Sequence, residues 1–370
     1  MAATGCSRQV NAIKCRSSNP DTKIAGCTAL IQAGQETGDS LSVIYNLRGT
    51  AYSSKRDYDR AIQDFSEAIR LSPNYAYIYV NRGSAYENKG EDDLTIQDDN
   101  EAIRLSPNSA LAYNNRGYAY NRKGDYDHAI QDLDEAIRLK PNQTAHYYNR
   151  GNAYDNKGDY THAVEDYTVA IHLNPNYALA YYDRGNAYNQ TGDYDLAIPD
   201  YSDAIRLNPK FAFAYLMRGS SYLFQSNLTA AVANFEQAIS TAPSSSAAVY
   251  AAVLLHVAMK RQGHEDAHEL AQVLAAADLS KWPGPLLKLS LGKMTADEVI
   301  AVAKPGADGQ KGHVCDANYF TGEDALLHQQ RATALARFKA ARDGCPKGAT
   351  AHAAALAELK RLGAPVVPAK

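Results

Sequence analysis

Glycine and proline each recur at intervals of 34 residues through the middle of this 370-residue chain. The glycines are Gly49, Gly83, Gly117, Gly151, Gly185 and Gly219, and the prolines are Pro73, Pro107, Pro141, Pro175, Pro209 and Pro243. A period of this length is typical of arrays in which each copy is one small structural unit that cannot bury its apolar face alone. The chain is therefore predicted to fold as a stack of such units.

Each unit has the pattern of two antiparallel helices. When units are numbered from Ser42, glycine takes position 8, proline position 32, and tyrosine positions 4 and 11 in all six copies. Positions 4, 8 and 11 share one helical face, as do positions 20, 24 and 27. Between them, "KGDY" places a helix-ending glycine before a helix-capping aspartate. The pattern predicts a helical hairpin in which small residues allow the two helices to approach closely.

Composition narrows the function classes. The chain has 26 Tyr against 7 Phe and 1 Trp, and most of this excess comes from the repeat, where the tyrosines are expected to form the core. The net charge of −3 argues against a nucleic-acid partner. The longest apolar run, residues 247–259, is too short for an integral membrane segment. The first residues, "MAATGCSRQV", lack the apolar stretch of a signal peptide, which favours either a cytosolic protein or a mature form.

The repeat resembles a known family. The pattern Y-x2-R-G-x2-Y…A-x3-[FYL]…A-x4-P at a period of 34 residues is similar to the tetratricopeptide repeat (TPR), with Tyr in place of Trp at position 4 and Arg in place of Leu at position 7. The resemblance implies an all-α fold, a right-handed α-solenoid of helical hairpins with a C-terminal helical cap. It also implies binding of a protein or peptide partner in the concave groove of the array.

The resemblance divides the chain into four segments. We expect an N-terminal tail and degenerate capping hairpin over 1–41, six consecutive repeats over 42–245, a degenerate repeat with short helices and a loop over 246–312, and a terminal hairpin, capping helix and tail over 313–370. The order "WPGP…LGKMTADEV…NYFTGE…FKAA…AELKRL" resembles the C-terminal part of bacterial cell-envelope TPR lipoproteins that act as adaptors.

The cysteines bear on the compartment. Extending the repeat backwards puts Cys15 at position 8 and Cys27 at position 20, where the two helices of a TPR hairpin come closest, so a disulfide is expected. A second disulfide is expected between Cys315 and Cys345, at adjacent ends of the last hairpin. Two disulfides favour a periplasmic or secreted protein, whereas five reduced cysteines would fit the cytoplasm. Cys6 is left over, and the sequence does not decide whether it is free, lipidated or paired.

Two further sequence motifs resemble a metal site and a ligand-binding row. "HEDAH" (264–268) matches the zinc-peptidase signature, but it starts directly after Gly263, contains a charged Asp266 and has no clear third ligand, so a polar first helical turn is preferred. The arginines at position 7 recur with aspartates at position 23, which favours charge pairing over a ligand-binding row. Pairing within one repeat and pairing with the next repeat both remain open.

The family resemblance places the partner groove on first-helix positions 2, 5, 9, 12 and 13. The predicted groove residues are Asn114, Tyr118, Asn121, Arg122, Tyr148, Asn152, Asp155, Tyr182, Asn186 and Asn189. Amide side chains can bond a peptide backbone, and tyrosine supplies contact area with little loss of entropy.

The leading hypothesis is a non-enzymatic scaffold or adaptor of the bacterial cell envelope that binds a peptide or helix in the concave groove. It is expected to need no cofactor, metal or catalytic residue. The alternatives are a cytosolic TPR co-chaperone or assembly scaffold, and a zinc-dependent peptidase acting through His264 and His268. The sequence leaves the oligomeric state and the identity of the partner open.

Overall fold

A computed structural model describes residues 2–264, 270, 273, 275–304, 311–346 and 349–365 of the chain. Every regular element in these ranges is a helix, and consecutive helices pair as hairpins, so the predicted all-α solenoid of helical hairpins is confirmed. The chain separates into two compact units, unit 1 over residues 1–156 and unit 2 over residues 157–370.

The helices of unit 1 are α1 (Ala2–Cys15), α2 (Pro20–Ala33), α3 (Gly38–Ser54), α4 (Tyr58–Leu71), α5 (Ala76–Lys89), α6 (Asp92–Leu105), α7 (Ala110–Arg122), α8 (Tyr126–Leu139) and α9 (Thr144–Lys157). The helices of unit 2 are α10 (Tyr160–Leu173), α11 (Ala178–Thr191), α12 (Tyr194–Leu207), α13 (Ala212–Phe224), α14 (Leu228–Thr241), α15 (Ser246–Gln262), α16 (Gly284–Ser290), α17 (Ala296–Ala303), α18 (Lys311–Leu327), α19 (Arg331–Gly344) and α20 (Thr350–Arg361).

The turn between the two helices of a repeat is set by local chemistry. Gly90 ends α5 with a φ of 81°, a left-handed conformation that an L side chain adopts at a cost. Asp125 begins α8, since its side chain accepts a hydrogen bond from the backbone N–H of His128. These caps account for the helix boundaries that "KGDY" predicted.

The glycine at position 8 lets the two helices of a hairpin touch. A Cβ added to Gly49 would lie 2.7 Å from the ring of Phe65, and one added to Gly219 would lie 2.7 Å from the ring of Phe235. In these hairpins the ring at position 24 fills the space above the glycine, and Leu133 does so above Gly117, so the predicted close approach is confirmed.

Asp99 breaks this rule in the hairpin of α5 and α6. It stands at position 24, is fully buried, and lies against Gly83 where the other hairpins have an apolar side chain. Neither carboxylate oxygen has a hydrogen-bond partner among the described residues. Burial raises the pKa of Asp99 well above its ordinary value, because a charged carboxylate loses its hydration there.

The N-terminal hairpin departs from the repeat spacing. Asn19 caps α2 by accepting a hydrogen bond from the backbone N–H of Thr22 at 2.9 Å, and Pro20 takes the first helical position. The helix therefore starts four residues earlier than the repeat spacing places it, at residue 20 rather than 24. As a result, Cys27 lies where Phe65 lies in the next hairpin, at position 24 rather than the expected position 20.

Unit 2 closes with its last helix. The long helix α15 is buried along most of its length, and the last hairpin, α18 with α19, packs near it. Helix α20 contacts its neighbour α19 and also α11, α13 and α18. The C-terminal helical cap is thus present, and it covers first helices that lie far earlier in the sequence.

Candidate peptide-binding site

The arginines at position 7 belong to the scaffold. Four of the six pair with the aspartate at position 23 of their own hairpin: the Nη2–Oδ1 distance is 2.7 Å for Arg48 and Asp64 and 2.6 Å for Arg116 and Asp132. Arg82 with Asp98 and Arg184 with Asp200 repeat this geometry at 2.7 Å. For these four arginines the open choice is resolved as pairing within one hairpin, whereas Nη1 of Arg150 donates to Oδ1 of Asp134 in the preceding hairpin.

The same arginines also reach the preceding hairpin. Nη1 of Arg82 donates to Oγ of Ser66 at 3.0 Å, and Nη1 of Arg218 donates to Oγ of Ser202 at 2.9 Å. In the sixth repeat Asn234 replaces the aspartate and accepts from Nε of Arg218 at 2.8 Å. Each guanidinium therefore ties two hairpins together, and its planar fork is suited to that role.

The predicted groove residues divide between the two units. Unit 1 contains Asn114, Tyr118, Asn121, Arg122, Tyr148, Asn152 and Asp155, and unit 2 contains Tyr182, Asn186 and Asn189. We describe the two groups separately.

In unit 1, several of these residues hold neighbouring first helices together. Asn149 donates to Oδ1 of Asn114 at 3.0 Å, and Asn156 donates to Oδ1 of the buried Asn121 at 3.1 Å. Asn81 and Asn46 form a matching bond of 2.8 Å two repeats earlier. We call these three pairs the amide row. An amide that already bonds its neighbour offers less to a partner.

The other unit 1 residues are only partly accessible. Nη1 of Arg122 donates to the backbone oxygen of Glu87 at 3.1 Å, and its Nε lies 3.4 Å from Oδ1 of Asp92. Arg122 is exposed, but its guanidinium is held by the preceding repeat. The remaining predicted groove residues of unit 1 are half-buried, namely Tyr118, Tyr148, Asn152 and Asp155.

In unit 2, Asn189 is buried and accepts a hydrogen bond from Oγ of Ser221 at 2.9 Å. Asn186 accepts from the hydroxyl of Tyr201, also at 2.9 Å. Tyr182 has a different environment, since its ring lies 4.7 Å from the ring of Phe211 and it borders a cavity. Burial raises the pKa of Tyr182 to about 12.

That cavity is a concave, mostly apolar pocket in the described part of unit 2. It has a volume of about 310 Å³ and lies between α11, α13, α15, α18 and α20. We call it the aromatic pocket. Its lining residues are Tyr182, Phe213, Leu216, Met217, Ser220, Phe224, Tyr250, Leu254, Asp316, Tyr319, Phe320, Thr350, Ala351 and Ala354. Ligand pockets are typically of this size and composition, mostly apolar with a few polar groups.

The pocket exists because one of its walls carries small side chains. Helix α20 presents Thr350, Ala351 and Ala354 toward rings from the first helices, and these short side chains leave the space unfilled. At its rim, Phe213 is 40% exposed, so an apolar surface is available before any partner arrives.

A buried charge cluster secures α20. Nη2 of Arg261 lies 2.6 Å from Oε2 of Glu323 and 3.1 Å from Oε1 of Glu358, and Arg361 pairs with Glu358 from the same helix. Both glutamates are 1% exposed. Burial raises the pKa of Glu323 above its ordinary value, an effect to which Glu358 adds. Because a buried carboxylate without its partner is costly, the cluster fixes α20 as a wall of the pocket.

Sequence reasoning found only part of this pocket. It predicted Tyr182 as a groove residue. It missed Tyr250, Asp316 and the α20 residues, which lie outside the six regular repeats. One feature of the sequence could have indicated the pocket. The first helix of the sixth repeat, "AFAYLMRGSSYLF", is far more apolar than the first helices of the other repeats.

The two cysteine pairs that the sequence proposed are adjacent, although Cys27 occupies a different repeat position from the one predicted. The Cα atoms are 4.6 Å apart for Cys15 and Cys27 and 5.5 Å apart for Cys315 and Cys345, distances compatible with disulfides, and both pairs are joined in the structure. The first pair links α1 to α2 and the second links α18 to the end of α19.

The zinc-peptidase motif falls mostly outside the described residues, since only His264 of 264–268 is described. Within the described residues, no group of three or more His, Cys, Asp and Glu side chains could hold a metal. In the same part of the chain, no helix has the length and apolar character needed to cross a membrane.

Comparison with known proteins identifies the repeat. The tetratricopeptide repeat model matches residues 110–143, 145–177 and 178–211, a TPR repeat model matches 49–90, and another tetratricopeptide repeat model matches 214–245. The chain is a tetratricopeptide-repeat protein, which makes it a scaffold for protein–protein interaction. No curated protein matches it.

Solved structures share the fold. PilW, a type IV pilus biogenesis factor, is 18% identical with a TM-score of 0.53, covering 56% of this chain and 96% of that one. A tetratricopeptide repeat protein from Parabacteroides merdae is 18% identical with a TM-score of 0.53, covering 65% and 94%. The C-terminal part of a TPR protein from Cytophaga hutchinsonii is 21% identical with a TM-score of 0.52, covering 66% and 98%.

Proposed function

We propose that this protein is a non-enzymatic adaptor that holds a partner peptide or helix by inserting apolar side chains of the partner into the aromatic pocket. The observation that carries the proposal is the preformed pocket itself, with Phe213 exposed at its rim. A preformed site spares the partner the cost of ordering it, and aromatic residues are enriched where binding energy concentrates.

The amide row favours placing the site in unit 2. The side chains of Asn114 and Asn121 already bond the next helix, so a partner would have to displace those bonds. Removing solvent from the aromatic pocket breaks no protein hydrogen bond of this kind. We therefore propose Tyr182 as the residue of the predicted groove that touches the partner.

A library of random 15-residue peptides displayed on phage tests the proposal. We expect enriched peptides to carry large apolar residues and to lose binding at least tenfold on Phe213→Asp, since a charge at the rim opposes apolar insertion. The matched control is Leu179→Asp. Leu179 occupies position 2 of the preceding repeat, is similarly exposed at 44%, and lies outside the pocket lining.

Equal loss of binding in the two variants, or none in either, would place the peptide elsewhere. Peptides without apolar residues would also contradict the proposal.

We further propose that the protein acts in the bacterial periplasm or another oxidising compartment, with the bacterial cell envelope as its setting. The two joined cysteine pairs support this, because structural disulfides persist outside the reducing cytoplasm. The measurement is a thiol count in denaturant on protein isolated without reductant. With 5 cysteines in the chain, one reactive thiol is expected, and five would assign it to the cytoplasm.

A further inference from the structure

Asp316 gives the aromatic pocket a polar group that the apolar walls do not explain. It lies on α18, is half-buried, and forms part of the pocket lining. Its Oδ2 accepts hydrogen bonds from the hydroxyl of Tyr250 and from Nε1 of Trp282, the latter at 3.1 Å. Both donors are neutral groups.

No Lys or Arg in the described ranges pairs with Asp316. Among the described residues, the ionisable base that acts on it is His313, whose ring stacks on Trp282 with centroids 4.6 Å apart. In the same unit, the buried Glu323 and Glu358 are compensated by Arg261 and Arg361. A carboxylate that is removed from water without a cation is costly.

Aromatic rings surround the space beside this carboxylate. They come from Tyr182, Phe213, Phe224, Tyr250, Tyr319 and Phe320. The face of an aromatic ring carries a negative quadrupole that attracts a cation within about 6 Å, most strongly where water is excluded. Aromatic rings with one uncompensated carboxylate therefore suit an organic cation with an apolar stem.

We propose that the aromatic pocket recognises a cationic side chain, a lysine or a methylated lysine of the partner, whose alkyl stem packs on the rings and whose ammonium pairs with Asp316. The inference rests on the proposed function, because it names the chemical group that the partner inserts. It also explains why a pocket of about 310 Å³ retains an acid in its wall, since that volume accommodates one long side chain.

A matched pair of small probes tests the charge directly. N-acetyl-lysine N-methylamide and the norleucine analogue have the same stem and differ in the ammonium group. NMR titration of the full chain should show the lysine probe binding about tenfold more tightly than the norleucine probe, as a desolvated ion pair with cation–π contacts predicts. Trimethyl-lysine should bind at least as well as lysine, since the rings favour a diffuse cation.

Asp316→Asn should abolish the preference for lysine over norleucine. The matched control is Asp324→Asn, which removes the same charge from a half-buried position on the same helix, outside the pocket lining, and should preserve the preference. If Asp316→Asn fails to fold, Phe213→Ala serves instead, because Phe213 is exposed and its loss should weaken the lysine probe several-fold.

Equal binding of lysine and norleucine to the natural protein, or a preference that survives Asp316→Asn, would overturn the inference. If Asp316→Asn does not fold, lysine binding that is unchanged in Phe213→Ala would overturn it. Binding of neither probe would overturn it as well. The proposed function is judged separately: phage peptides that still depend on Phe213 but not on Asp316 would leave the adaptor proposal standing while the cation is rejected.

Discussion

Two repeats of unit 1 and two repeats of unit 2 use the same position in opposite ways. At position 5, unit 1 has Asn46 and Asn114, whose amides accept hydrogen bonds from the next first helix. Unit 2 has Tyr182 and Leu216 there, and both line the aromatic pocket. An amide forms its hydrogen bond with the adjacent helix, whereas an apolar side chain forms no such bond and is stabilised when another surface covers it. The comparison shows that one repeat position can either join hairpins or leave a site.

The largest expected effect on the pocket of unit 2 comes from removing the buried charge cluster that holds α20 in place. Arg261→Met leaves the buried Glu323 and Glu358 without their shared cation, and we expect a loss of about 3–5 kcal/mol in the free energy of unfolding. Urea unfolding followed by fluorescence of Trp282, the single tryptophan of the chain, reports unit 2 directly. The pocket should lose its ligand at the same time.

The control is Arg206→Met, which removes an exposed arginine paired with Asp203 in the same unit and should change the free energy of unfolding by less than about 1 kcal/mol. An equally small change for Arg261→Met would show that the charge cluster does not hold α20.

Unit 1 offers a substitution that should stabilise the protein. Asp99→Leu replaces a buried carboxylate that has no hydrogen-bond partner among the described residues. Leucine is the residue found at the same position of the next repeat, where Leu133 packs against Gly117. We expect a gain of about 1–3 kcal/mol in the free energy of unfolding, measured in urea and followed by circular dichroism. No gain, or a loss, would mean that the carboxyl group has a favourable role in the fold.

The same residue predicts an unusual pH dependence. The pKa of Asp99 is raised well above 3.8 by burial, and burial raises that of Glu87 to about 7. Between the unfolded and folded pKa values the folded state binds the extra proton, so these groups make stability rise as the pH falls from about 7 toward 4. Asp99→Asn should reduce this slope, and an unaltered slope would assign it to other groups.

The smallest effect is expected in the amide row. Asn121→Ala removes the acceptor of the part-buried hydrogen bond from Asn156. We expect the free energy of unfolding to fall by about 1 kcal/mol. Asn108→Ala, at an exposed loop position of the same unit, should have no measurable effect on urea unfolding. Peptide binding should be unchanged in both variants, and loss of binding in Asn121→Ala alone would return the site to the predicted groove.

The sequence predicted the hairpin with accuracy because its determinants are local. Glycine at position 8, the ring at position 24 and the caps around "KGDY" all act within one repeat. Where a local signal competed with the repeat spacing, the local signal prevailed: Asn19 and Pro20 started α2 early and moved Cys27 to another position. That shift could have been predicted from "SSNPDT", which contains both start signals.

The candidate site was less predictable. The family resemblance directed attention to polar first-helix residues such as Asn121 and Asn189, and the structure buries both against neighbouring helices. Their residue types are correct for hydrogen bonding, but the sequence does not show that a neighbouring side chain takes the bond. Tyr182 was predicted from its position in the repeat. Its neighbours in the pocket come partly from the sixth repeat, such as Leu216, and partly from segments without the repeat, such as Tyr250 and Ala354.

The sequence by itself determined the repeated helical hairpin and the positions of the close contacts, since each depends on residues 12 to 16 apart within one period. Only the tertiary structure decided which face carries a site. The pocket requires α20, whose Ala354 lines the same cavity as Tyr182 although 172 residues separate them, and a buried charge cluster to hold α20 there. Contacts over such separations depend on how hairpins stack, and no periodic pattern within one hairpin encodes them.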